Sequence, residues 1–218
     1  MKISAVITAG GTSSRFGKTN KLLEKINGKE IIKYTVDAFK NSNVDEIIIS
    51  ANSSIINILT DFFKSYENVK IVHGGNSRQD SVYNGLKATN CDYVLIHDGA
   101  RPMITPEIIN ETIATVIEKK AVSVMTKTVD TIKEVDENGK IIRTIDRSKL
   151  YNTQTPQAFE YNLIKMAHDK LQNQNFTDDA GMVEFLGKDV YIVDGDYKNI
   201  KVTTKSDLAL AEIYLTQN

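Results

Sequence analysis

A mostly parallel α/β sheet with helices on both faces is the architecture the sequence predicts, and three observations carry it. Short β-branched apolar runs alternate with helical periodicity through the first 126 residues, the pattern of repeated βαβ units. The runs are nearly continuous in apolar residues, as strands covered on both faces must be. Glycine-rich segments stand directly after strand runs, where open parallel sheets bind ligands.

The predicted strands are Ile3 to Thr8, Glu46 to Ala51, Val69 to His73, Tyr93 to His97 and Ala121 to Thr126. Between them the 3.6-residue periodicity gives helices at Ile31 to Lys40, Ser54 to Lys64, Asp80 to Lys87 and Pro106 to Lys119, the last with Thr105 as N-cap and proline at its first position. After Thr126 the rhythm changes. The runs 131–135 and 140–145 read as two strands around a tight turn, with Asn138 and Gly139 supplying positive φ angles. A lone hairpin is marginal in water, so Ile132, Val135, Ile141 and Ile145 need a surface. Two solutions stand open: an arm at about 130–150 that clasps a second subunit, or an arm folded back on its own domain. The α/β style then returns, with helices at Tyr161 to Leu171 and Asp179 to Leu186, a strand at Val190 to Val193 and a closing helix at Ser206 to Leu215.

At 218 residues the chain reads as a single domain, and 41% hydrophobic with 25% charged residues excludes disorder, collagen-like repeats and a membrane bundle. Lys and Arg number 27 against 28 Asp and Glu, so there is no pervasive basic surface to hold nucleic acid, and any anion site must be built locally. Cys91 stands alone and reads as a buried or half-buried structural thiol. The apolar run at the start is too short for a signal peptide and nothing approaches a membrane span, so the expected address is the cytoplasm.

Three post-strand loops gather the chemistry. Ala9, Gly10 and Gly11 open a segment of glycines and hydroxyls followed by Arg15, Lys18 and Lys21, where backbone N–H groups can cradle phosphate and the cations offset its charge. The second loop, residues 74–82, has two glycines that let a ligand ring lie against backbone, with Asn76, and with Ser81 at the helix start to bond a base or an anion; Arg78 there reads equally well as a surface cation. In the third, residues 97–102, Asp98 could hold Mg²⁺ and Arg101 could organise the site or meet phosphate, although one Asp at a strand end is also an ordinary turn residue. Asp178 and Asp179 suit a helix N-terminus without any metal, and His73, His97 and His168 have no ligand spacing. Gly17, Lys18 and Thr19 imitate the end of a P-loop, but five residues separate Gly11 from Gly17 where that motif has four, and Thr12 stands where its first glycine belongs. The kinase or ATPase reading therefore fails on spacing. A catalytically silent nucleotide-binding module would tolerate loss of Arg15 or Lys21, and both are present.

In order and spacing, residues 9–17, 74–82 and 97–102, Asp146 with Arg147, residues 155–157, 177–180 and 199–203 together resemble the 2-C-methyl-D-erythritol 4-phosphate cytidylyltransferase family of nucleotidyltransferases over nearly the whole chain. The resemblance implies transfer of CMP from CTP to an alcohol phosphate with release of pyrophosphate, Mg²⁺ as cofactor and a homodimer formed through the hairpin arm. It implies Arg15, Lys21 and Lys201 as catalytic residues, and Ala9, Gly10, Gly11, Gly75, Asn76, Ser81 and Arg101 around CTP. Asp98, Arg147, Thr177 and Lys201 would meet the alcohol phosphate or the reacting phosphate, with Asp98 also toward the metal and Arg147 reaching the partner's site. The chain departs from the family pattern at Ser13, Asn20 and Asn76. A sister family that makes CDP-ribitol from ribitol 5-phosphate shares the glycine loop and residues 199–203, while Asp146 with Arg147, Ser81 with Val82, and residues 177–179 lean toward methylerythritol phosphate.

Overall fold

The computed structural model describes residues 1–11, 16 and 20–216. Strand β1 (Ile3–Ala9) is followed by a short 3₁₀ turn at Lys21–Leu23 and a two-stranded ribbon, β2 (Lys25–Ile26) with β3 (Lys29–Glu30). No P-loop helix can therefore occupy residues 21–30. Then come α1 (Ile31–Lys40), β4 (Glu46–Ala51), α2 (Ile56–Phe63), β5 (Val69–His73), α3 (Arg78–Lys87), β6 (Tyr93–Asp98), α4 (Pro106–Lys119) and β7 (Ala121–Lys127). The remainder is β8 (Lys133–Val135), β9 (Ile141–Thr144), β10 (Tyr151–Glu160), α5 (Tyr161–Lys170), α6 (Asp179–Phe185), β11 (Tyr191–Asp194) and α7 (Lys205–Thr216).

Seven strands form one sheet in the order β11-β7-β10-β6-β1-β4-β5, with every pairing parallel except those of β10. Period-2 alternation sends Ala5, Ile7, Ile47, Ile49 and Leu95 to a core with Phe39, Leu59 and Val116 on one face. It sends Val6, Ile48, Val94 and Ile96 to a second core with Leu86, Ile164 and Val183 on the other. The chain leaves β1 toward β4 and β5, then α3 carries it back so that β6 pairs with the opposite side of β1. That reversal opens a crevice beyond the carboxyl ends of β1 and β6. Among the described residues no helix is long and apolar enough to cross a membrane.

Four local expectations need correction. β10 falls where the sequence predicts no strand: its run is polar and holds Pro156, which a ladder tolerates only at a disruption, and the pairing with β7 shifts register between Thr153 and Gln157. The β2–β3 ribbon is likewise unpredicted, because two-residue strands carry no periodicity. α3 starts at Arg78 instead of Asp80, because Ser77 and Asp80 form a capping box. In the hairpin only Gly139 has positive φ; the turn spans Asp136 to Gly139, and the Asp136 carboxylate accepts from the N–H groups of Asn138 and Lys140. The arm does not fold back: β8 and β9 pair only with each other, leaving Val135 at 52% and Ile141 and Ile142 at 57% exposure.

Candidate active site

Two cavities meet at the crevice. The first, about 350 Å³, is lined by Thr8, Ala9, Gly10 and Gly11 from the end of β1, by Asn76, Ser77 and Ser81 around the start of α3, and by Lys21. The second, about 470 Å³, is lined by Arg101, Met125, Thr153 to Thr155, Gln157, Thr177, Asp178, Gly181 and Glu184. Arg78, Asp98 and Lys201 line both and form the ridge between them.

The first cavity owes its shape to close backbone approach. A Cβ on Gly10 would lie 2.5 Å from Ser81 Oγ, and one on Gly75 only 2.1 Å from Asp80 Cβ. Ser81 is the brace that holds these segments: its hydroxyl donates to the Ser77 carbonyl at 2.9 Å and accepts from Gly75 N–H at 3.0 Å. Its Oγ hydrogen is directed within the chain, while Ser81 still lines the cavity where the sequence expects it to bond a base or an anion. Gly75 itself stands one step back from the lining. Lys21 reaches the cavity from the 3₁₀ turn that Asn20 caps through Leu22 N–H.

At the ridge, one carboxylate faces three cations. Asp98 closes β6, buried and 6% exposed, with Oδ1 accepting from Arg78 Nε at 3.1 Å and Oδ2 from Lys201 Nζ at 2.8 Å. Arg101 Nε lies 3.7 Å from the same Oδ2. Burial opposes the ionised carboxylate, but Arg78, Lys201 and Arg101 outweigh it and hold the Asp98 pKa well below the ordinary range. Asp98 N–H donates to Thr155 Oγ1 at 3.1 Å, so the unpredicted strand β10 fixes the residue that ends β6. Beside it His97 is fully buried against Phe39, its Nδ1 3.0 Å from Thr155 Oγ1. Burial pushes its pKa down to about 3, against a smaller opposing pull from Asp98, so the ring is neutral at physiological pH.

Arg101 serves the ridge from behind. Its Nη1 donates to the Asn199 carbonyl at 2.7 Å, and Asn199 donates to Gln154 Oε1 and the Thr155 carbonyl, so the segment that carries Lys201 is pinned to β10. It lines the second cavity and not the glycine-lined one, where Ala9, Gly10, Gly11, Asn76 and Ser81 of the expected CTP set stand. Thr177 also falls in the second cavity. Arg147 lines neither; it donates to the Val129 carbonyl at the root of the arm. Arg15, with Lys18, lies outside the described residues.

Sequence reasoning undervalued Arg78 and Asp179. Arg78 is no plain surface cation: its Nη1 lies 2.7 Å from Asp179 Oδ2, while Asp179 Oδ1 lies 3.1 Å from His168 Nε2. The signal was present in the spacing of Ser77 and Asp80, which places Arg78 on the first helical turn beside the strand ends. Asp178 caps α6 as expected, accepting from Gly181 N–H at 3.2 Å. Among the described residues no cluster of three or more His, Cys, Asp or Glu could hold a metal.

The arrangement matches known proteins over its whole length. The IspD family model, 2-C-methyl-D-erythritol 4-phosphate cytidylyltransferase, matches residues 3–217. A relative of that name from Clostridioides difficile (strain 630) is 45% identical over 222 residues, covering 96% of this chain and 92% of its own. Among solved structures, 4-diphosphocytidyl-2C-methyl-D-erythritol synthase from Anaerococcus prevotii DSM 20548 superposes with a TM-score of 0.90 at 34% identity, over 99% of this chain and 96% of its own. The 2-C-methyl-D-erythritol 4-phosphate cytidylyltransferase from Thermus thermophilus gives 0.82 at 26%, over 99% and 100%. With this coverage added to the two joined cavities, the chain belongs to the 2-C-methyl-D-erythritol 4-phosphate cytidylyltransferase family.

Proposed function

We infer that this chain transfers CMP from CTP to 2-C-methyl-D-erythritol 4-phosphate, giving 4-diphosphocytidyl-2-C-methyl-D-erythritol and pyrophosphate in isoprenoid precursor synthesis. The observation that carries the reading is the cationic ridge shared by a glycine-lined cavity and a polar one. CTP fits the first, its phosphates toward Lys21, with Arg15 of the adjoining segment in the same role. The alcohol phosphate fits the second, where Thr153, Thr177 and Glu184 offer partners for hydroxyls. A phosphate oxygen of the alcohol phosphate attacks the α-phosphorus of CTP and pyrophosphate leaves. The attacking oxygen is already anionic, so no side-chain base is needed, and Lys21, Lys201 and Arg78 oppose the charge that builds on the α-phosphoryl oxygens.

Asp98 is the one carboxylate that lines the first cavity among the described residues. That donor set fits Mg²⁺ carried mainly by water and substrate phosphates, with Asp98 as its protein ligand. When bound, the ion supplies further positive charge at the triphosphate. The exposed apolar arm supports a homodimer in which Arg147 faces the partner's second cavity. Its small, charged substrates are those of a cytoplasmic enzyme.

The test is pyrophosphate release with CTP against a panel of alcohol phosphates. Turnover with methylerythritol phosphate is expected at a rate well above that with ribitol 5-phosphate; the reverse order assigns the chain to the ribitol reaction, and release of orthophosphate in place of pyrophosphate rejects the transferase chemistry.

A further inference from the structure

The guanidinium of Arg78 is held by two carboxylates, Asp98 at the ridge and a second one that lines neither cavity. Asp179, at the first turn of α6, is 1% exposed and lines neither cavity, yet its carboxylate holds Arg78 Nη1 with one oxygen and meets His168 Nε2 with the other. The α6 terminus is itself fixed, because Gln157 Oε1 accepts from the N–H groups of Asp179 and Ala180 at 3.0 and 3.1 Å. Burial disfavours charge on both partners, but their mutual attraction keeps Asp179 ionised and Arg78 protonated. The hydrogen bonds of Arg78 use Nε and Nη1, so both Nη2 hydrogens are unspent among the described residues, on a side chain that lines both cavities. A pre-oriented guanidinium with a spare edge suits a phosphate oxygen better than a lysine ammonium would.

We propose that Arg78 is a phosphate-binding residue at the junction of the two cavities, and that Asp179, locked by His168, is a positioning residue that acts through it. The proposal rests on the transferase reading above and names which side chain meets the phosphates where the two substrates join. Asp179 touches no substrate; its contribution is to hold the guanidinium in one orientation.

The test combines turnover with binding. Arg78→Gln is expected to lower kcat/KM for the alcohol phosphate by about 100-fold and Asp179→Asn by about tenfold, the span for one charge-assisted hydrogen bond. Arg78→Lys, which keeps the charge but cannot span both carboxylates, recovers no more than about tenfold of that loss. In the Arg78→Gln background, Asp179→Asn costs nothing further. Affinity for inorganic pyrophosphate, read by calorimetry, follows the same pattern, and thermal melting verifies that each variant is folded. Multiplicative losses in the double variant, or folded single variants with unchanged pyrophosphate affinity and kcat/KM, overturn the proposal and leave a structural ion pair. Should the parent chain bind pyrophosphate but release none from CTP, the transferase reading fails, while the affinity series still decides the role of Arg78. If Arg78→Gln does not fold, Arg78→Lys with Asp179→Asn gives the same comparison.

Discussion

Lys201 Nζ stands 2.8 Å from Asp98 Oδ2, so the cation carried between β11 and α7 is held in place by the carboxylate that ends the central strand β6. With Arg78 and Arg101 on the same carboxylate, Asp98 is the counter-charge for three cations until phosphates arrive. Asp98→Asn should therefore destabilise the substrate-free protein, since it leaves those cations facing one another. Breaking a buried pair costs about 3 kcal/mol or more, which for a chain of this size is a fall in Tm of roughly 6–12 °C. CTP should recover more of the melting temperature in the variant than in the parent protein, because its phosphates replace the lost charge. Equal melting temperatures without nucleotide would contradict the placeholder role.

Lys21 and Lys201 line the first cavity, where charge develops in the reaction. Lys21→Ala and Lys201→Ala should each lower kcat by ~10²–10³ while moving KM for the alcohol phosphate much less. A change confined to KM would make the residue a ground-state binding group and require another source of transition-state stabilisation.

Much of this site was legible because strand ends announce themselves. Ala9 to Gly11, residues 74–82 and Asp98 to Arg101 follow apolar runs that became β1, β5 and β6 with nearly the predicted bounds. Lys201 was legible only through the family resemblance, since nothing local to residues 199–203 marks a cation beside Asp98. β10 was not legible. Its inward residues Gln154, Thr155 and Gln157 are polar because they brace Asn199, Asp98 and α6, so the alternation that marks a strand is replaced by hydrogen-bond partners. The pairing of Arg78 with Asp179 joins two helices distant in sequence, and neither residue carries a local sign of its partner.

The glycines make a steric prediction. Gly10→Ala should impair CTP binding, because its Cβ meets Ser81 Oγ at 2.5 Å, and the added Ser81→Ala should relieve part of the loss since the next contact, Ser81 Cβ, is at 3.3 Å. Gly75→Ala should gain nothing from Ser81→Ala, because its Cβ meets Asp80 Cβ at 2.1 Å and Asp80 backbone at 2.9 Å. Nucleotide affinity across the single and double variants measures this, and equal rescue of both glycine variants would refute the assignment of the two clashes.

His97 gives a pH dependence with a definite sign. Its pKa falls from the ordinary 6.5 to about 3 in the folded protein, so below pH 6.5 the unfolded chain takes up a proton that the native one refuses. Stability contributed by the neutral ring is present above pH 6.5 and is lost as the pH falls toward 3, at a limiting ~1.4 kcal/mol per pH unit and about 2 kcal/mol by pH 5. Urea unfolding between pH 7 and 5 should show this slope, and His97→Asn should flatten it. An unchanged slope in the variant would assign the acid sensitivity to other groups.

The arm supplies a prediction about assembly. Val135, Ile141 and Ile142 are exposed on a hairpin whose strands pair only with each other, and Arg147 at its base lines neither cavity beside it. If the arm clasps a second copy, Arg147 acts in the partner's site, and Lys21→Ala and Arg147→Ala chains that are each nearly inactive should regain activity when mixed. In a mixed two-fold dimer one site carries both defects, while the other combines an intact Lys21 from its own chain with an intact Arg147 from its partner. Random exchange at equal amounts makes about half the dimers mixed, so about a quarter of all sites should work, because a closed two-fold interface uses the same contacts twice. Differently tagged chains, captured through one tag and probed for the other, establish that exchange has occurred. Activity near a quarter of the parent value then places Arg147 across the interface, whereas exchange without recovery means that Arg147 acts within its own chain or not at all, and the clasping arm is lost as the explanation for its exposed apolar residues.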